Sequence, residues 1–200
     1  LGSDIRISEE RIAGASKFIQ KLYNVARFVS MFEECKKPRE LNPTDRWILS
    51  ELSKVIEKSI EGYEKLDFFI PANEVRNFVW DLFAPHYIEM VKHRAYNGDE
   101  SAIYTLHEVL KSILKLLAPI TPFITDYIWH ELYGGCVHRE RMPKPVLKEE
   151  HPTRDIIRFN ESVWAKKKEM GLSLKDPIEV EIPEKLKPYE EDLRAMHNIV

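Results

Sequence analysis

Between Ser8 and Phe32 the apolar residues Ile12, Ala15, Phe18, Ile19, Leu22, Val25, Ala26, Val29 and Phe32 recur at three- and four-residue spacing. That period commits the segment to a long helix with one buried stripe, ending near residue 34. Four more stripes of the same period follow, each with its own boundary signal. Asn42-Pro43-Thr44-Asp45 starts a second helix, capped by Asn42 or Thr44, that carries Ile48, Leu52, Val55 and Ile56 to about residue 65. A third spans about 71–96, and Pro85 inside it removes one ladder bond, which predicts a kink. Asn97-Gly98-Asp99 closes it, and a fourth runs over about 101–117. Thr121-Pro122 supplies an N-cap and an N1 proline for a fifth, which stops at Gly134-Gly135. Trp47, Trp80 and Trp129 sit beside these stripes and are expected to pack in the core or between helices.

After Gly135 the pattern changes. Residues 136–153 carry three prolines among charges and read as a linker. Residues 154–170 are helical, with Trp164 placed to anchor them to the bundle. Ile178-Glu179-Val180-Glu181-Ile182 alternates at period two, as a short half-buried strand does, and 184–197 is helical again. A lone strand needs partners, and Ile199-Val200 is the candidate for one. The expectation is a mainly α chain: an antiparallel helical bundle over 1–135, a linker over 136–153, and a small α/β appendage over 154–200.

No glycine-rich phosphate loop is present, because the seven glycines are scattered. His130, Cys136 and His138 share only a generic spacing without a fourth ligand, so neither a metal nor another cofactor is expected within this stretch. His86, His93, His107 and His197 lie on helices without a telling nucleophile or carboxylate partner. Cys35 and Cys136 form no disulfide framework. No apolar run approaches a membrane span and no signal pattern opens the chain, which points to a cytoplasmic monomer. The formal net charge of −3 excludes a surface made throughout for polyanions. Local balance differs: residues 138–168 hold nine Lys and Arg against five Asp and Glu, whereas 173–200 hold four against seven. Such polarity suits a protein that binds nucleic acid on one side, and it also arises from ordinary surface scatter.

Phe28 is off the first stripe. At 100° per residue it falls on the opposite side, in a row with Lys17, Lys21 and Asn24 and beside Gln20 and Arg27. Ammonium groups for phosphates, an amide for a base edge and a ring for stacking are the groups that bind single-stranded RNA. The competing reading packs Phe28 under a neighbouring helix. Lys166, Lys167 and Lys168, near Arg139, Arg141, Arg154 and Arg158, are either backbone-phosphate contacts or a solvated face.

The wording of the helices resembles the anticodon-binding domain of the class I aminoacyl-tRNA synthetases for branched aliphatic amino acids. The likeness rests on Lys21-Leu22-Tyr23-Asn24-Val25-Ala26-Arg27-Phe28, Asp45-Arg46-Trp47-Ile48-Leu49-Ser50, Phe78-Val79-Trp80-Asp81 with Tyr87-Ile88-Glu89, and Leu117 through Thr125. Asp4-Ile5-Arg6-Ile7 and the stretch from Asn160 to Leu174 are most similar to archaeal-type valyl enzymes. Isoleucyl and leucyl relatives share the bundle and remain alternatives, as does a helical protein-docking domain without RNA contact. The resemblance implies a first helix facing the anticodon loop of a valine tRNA, with Phe28 stacking on a base, Lys17 and Lys21 on phosphates, Asn24 on a base edge or ribose and Arg27 on the neighbouring backbone. The ATP-binding signatures of that family are missing. ATP, magnesium and the chemistry of a valine–tRNA ligase would then belong to a catalytic domain elsewhere in a parent protein, and this stretch alone would be inactive.

Overall fold

A computed structural model describes residues 8–200, except the side chain of Arg11; the Asp4–Ile7 stretch lies outside the described residues. Among the described residues eight α-helices form: α1 (Glu9–Val29), α2 (Pro43–Glu64), α3 (Phe69–Asn77), α4 (Glu89–Tyr96), α5 (Glu100–Leu117), α6 (Pro122–Tyr133), α7 (Thr153–Glu169) and α8 (Glu190–His197). The caps follow the local chemistry. Asn42 Oδ1 accepts from the Thr44 N–H at 3.1 Å, and Asp99 Oδ1 accepts from the Ala102 N–H at 2.8 Å. At α6 only half of the expected signal is used: Pro122 takes N1, but the Thr121 hydroxyl donates back to the Leu117 carbonyl and makes no cap.

The stripe of α1 is buried from Phe18 to Val29, while Ile12 is 61% exposed and Ala15 is exposed. The first turns of α1 stand over an open apolar groove lined by Ala72, Leu117 and Ile120, so their expected burial is not realised. α1 also ends before residue 34, where Ser30 donates to the Arg27 carbonyl. α2 and α3 meet closely at Gly62, where an added Cβ would lie 2.8 Å from Pro71 Cδ.

The expected third helix is present, but Pro85 is accommodated by an eleven-residue π-helical stretch, Phe78–Ile88, between α3 and α4. The proline has no N–H for an α-ladder, and around it the bonds widen to i→i+5. The stretch turns Phe78, Val79, Leu82, Phe83 and Tyr87 toward the interior, and Trp80 lies off that side.

One guanidinium ties four parts of the chain together. Arg94 on α4 donates from Nε and Nη2 to Asp192 of α8 at 2.8 and 3.1 Å, from Nη1 and Nη2 to Asp45 of α2 at 3.0 Å each, and from Nη1 to the α5 cap Asp99 at 2.8 Å. Tyr87 and Ser101 donate to Asp45 as well. Burial pushes the Asp45 carboxyl above its usual value, while these donors pull it back.

The C-terminal part packs on this frame. Trp164 of α7 stacks on His86 with ring centroids 5.3 Å apart, as its anchoring role required. Asn160 bridges His86 and His197, and burial holds the His197 imidazole down at about 4. The 136–153 segment is pinned where the Val146 and Leu147 N–H groups donate to Ser53 Oγ on α2. The expected strand is a correction. Ile178 and Ile182 do turn inward, but among the described residues the only β pairing is a single parallel bridge from Ile178 to Ile199. Without a ladder the 178–182 segment stays extended, and no α/β appendage forms.

Candidate nucleic-acid interface

The polar row of α1 comes to lie against the π-helical stretch, and between them is a shallow groove of about 480 Å³. Lys17, Gln20, Lys21, Asn24 and Phe28 line one wall; Trp80, Ala84, Ile88 and Glu89 line the other. Lys17 and Asn24 are exposed, and Lys21 and Phe28 are half-buried. Four of the residues singled out on α1 are thus brought to one place. Arg27 is exposed but does not line the groove.

Phe28 is not a free ring. It meets Phe32 edge-on at 5.2 Å and Tyr96 at 6.1 Å, so the ring packs at its edges as the competing reading has it, and it also borders the groove. Tyr96, 59% exposed, extends the aromatic surface.

Trp80 is what the sequence reading missed. Read only as a packing residue of the core or between helices, like Trp47 and Trp129, it is 37% exposed and faces the groove, whereas those two are at 0% and 5%. The Lys21 ammonium sits 4.8 Å from its ring centroid. No local signal marks it: Trp80 follows the buried pair Phe78 and Val79 by one residue, and the packing of α1 opposite makes it a groove wall.

The C-terminal lysines are not equivalent. Lys167 is fully buried and donates to the carbonyls of Leu174, Asp176 and His197, at 2.7 Å each. It cannot touch a phosphate, which corrects the expectation for this residue, and burial lowers its pKa. Lys166 is exposed and donates to the Glu179 carbonyl at 3.0 Å; Lys168 is exposed. Neither lines the α1 groove. Among the described residues no group of three His, Cys, Asp or Glu side chains is placed to hold a metal, and no helix is long and apolar enough to cross a membrane.

A ring face, a second ring, two ammonium groups and two amides facing one shallow groove can hold an unpaired base with its phosphates. Comparison with known proteins points the same way. Residues 45–182 match the model of the anticodon-binding domain of tRNA ligase. The chain is similar to the valine–tRNA ligase of Nanoarchaeum equitans, with 39% identity over all of this chain and 27% of that protein. It is likewise 38% identical to that of Pyrobaculum aerophilum over all of the chain and 27% of the relative, and 34% identical to that of Anaplasma marginale over 90% and 24%. The chain spans about a quarter of the length of the curated relatives it matches.

Proposed function

The chain belongs to the anticodon-binding domain family of tRNA ligases, and from that premise we propose that it is the anticodon-recognition module of a valine–tRNA ligase. It holds the anticodon loop and stem of a valine tRNA so that the acceptor end reaches a catalytic domain elsewhere in the parent, where ATP and magnesium serve. In this reading the chain alone does not activate valine, residues 1–135 present the RNA face, 136–153 connect, and 154–200 brace the bundle. The setting is the cytoplasm and the module acts as a monomer.

The observation that carries the proposal is the juxtaposition of Trp80 and Phe28 with Lys17, Lys21 and Asn24 around one groove. A base stacks on the Trp80 indole, and Phe28 closes the side of the site. Lys21 first has to leave the ring, at a cost of about 0.5–1 kcal/mol. Stacking returns about 1–3 kcal/mol per base, so the exchange favours RNA, and the released ammonium moves to a phosphate beside Lys17. Asn24 takes a base edge or ribose, and Arg27 and the exposed Lys166 and Lys168 meet backbone farther out.

Trp80→Ala tests this most cleanly, because Phe28→Ala also removes two ring contacts that support the fold. The affinity of Trp80→Ala for a labelled valine anticodon hairpin, followed by fluorescence anisotropy, is expected to fall about tenfold or more with the unfolding midpoint little changed. Full affinity in a folded Trp80→Ala variant rules out the stacking role.

A further inference from the structure

A second surface, beyond the α1 groove, carries groups for phosphate. Between α5 and the loop that follows α6 lies a cleft of about 570 Å³ lined by Lys111, Lys115, Arg139, Arg141 and Lys144, against Glu108 and Glu140 as its only acids. Two of the five cations are already engaged. Lys111 pairs with Glu34 and lies 4.6 Å from the Tyr133 ring centroid; Lys115 is 3.7 Å from Glu140 and 5.2 Å from the Trp129 centroid. Arg139, Arg141 and Lys144 are exposed, and among the described residues their side chains have no ion-pair partner. The five cations outnumber Glu108 and Glu140, and this excess of positive charge favours an anion in the cleft.

The loop that carries them is held at both ends. Val137, 2% exposed, starts a 3-10 turn Val137–Arg139, and its N–H donates to Asp126 Oδ1 at 2.9 Å. Pro143, on the far side of Arg141, is buried. The guanidinium groups are therefore presented from an anchored backbone, which lowers the entropy lost on binding.

The cleft is also joined to the groove by direct contacts. Phe28 touches Phe32, whose carbonyl accepts from His107 Nε2 at 2.9 Å; the Tyr133 hydroxyl donates to His107 Nδ1 at 3.0 Å, and Lys111 lies on that ring. We propose that this cleft binds the phosphodiester backbone of the same RNA whose unpaired bases enter the α1 groove, through Arg139, Arg141 and Lys144. The assignment rests on the RNA-binding reading above. Guanidinium forks grip phosphate oxygens in pairs and carry no sequence information, so the cleft sets affinity and register while the groove reads the loop.

The test is a combined Arg139→Gln, Arg141→Gln, Lys144→Gln variant of the full chain, titrated with a labelled valine anticodon hairpin between about 50 and 300 mM salt. Affinity at the lowest salt is expected to drop about tenfold or more. The log–log salt slope is expected to become shallower by about 2, with discrimination between loop sequences unchanged. Arg141→Gln alone is expected to give about a third of the slope change, which keeps the test open should the triple variant fold poorly. If the parent chain binds the hairpin and the variants keep its affinity and slope, the cleft assignment is overturned and the groove reading stands. If the parent chain does not bind the hairpin at any salt, both are overturned.

Discussion

Replacing Arg94 with leucine is expected to lower the folding stability of the chain by about 3–5 kcal/mol. The side chains of Asp45 and Asp192 are 0% and 2% exposed, and Arg94 is the cation that both face. Removing it leaves two desolvated carboxylates, Asp45 with the neutral hydroxyls of Tyr87 and Ser101 and Asp192 with His93 3.7 Å away, which must either stay charged without a guanidinium or take up protons to fold. The loss also frees the cap of α5, because Asp99 bonds both Arg94 and the Ala102 N–H. Arg94→Lys is not a rescue: one ammonium cannot serve two carboxylates through paired, planar hydrogen bonds. Urea unfolding of parent and variant measures the difference, and a loss below about 1 kcal/mol contradicts the clamp. Asp45, at the head of the second helix, is thus a structural acid that joins α2 to α4.

Lys167→Met is expected to cost about 3 kcal/mol, whereas Lys168→Met, one residue along the same helix, should stay within about 0.5 kcal/mol. Lys167 donates to three carbonyls, from Leu174, Asp176 and His197, and so ties the turn after α7 to the end of α8. Methionine fills the space but leaves three carbonyl acceptors, that of His197 in a buried position, without their donor. The damage should be local first. Limited proteolysis is expected to cut the variant between residues 170 and 177 well before the parent, and equal protection of the two proteins would contradict the assignment.

These two residues mark what was and was not legible in the sequence. Helix positions followed from apolar spacing and from Asn42, Pro43, Asp99 and Pro122, because caps and periods are local physics. The gathering of Lys17, Lys21, Asn24 and Phe28 on one face followed from helical geometry alone. What failed depended on tertiary context. Lys166, Lys167 and Lys168 look alike in sequence, and only the chain folding back over residues 172–176 separates a buried donor from its exposed neighbours. Trp80 reads as a packed ring beside its stripe, and only the placement of α1 opposite makes it a wall of the groove. The alternation at 178–182 correctly places Ile178 and Ile182 inward, but alternation reports which side faces the core and says nothing of whether a partner strand exists.

The central claim is that unpaired anticodon bases enter the groove between α1 and the π-helical stretch. Its most direct measurement compares the affinity of the full chain for a valine anticodon hairpin with that for a hairpin of identical stem and permuted loop, at two salt concentrations. Readout of a base edge by Asn24 in the groove predicts that the permuted loop binds about tenfold more weakly at both salts with the same salt slope, since a well-formed side-chain contact to a base edge is worth about 1–3 kcal/mol of discrimination and the phosphates are unchanged. Equal affinity for the two hairpins would contradict base recognition by this groove.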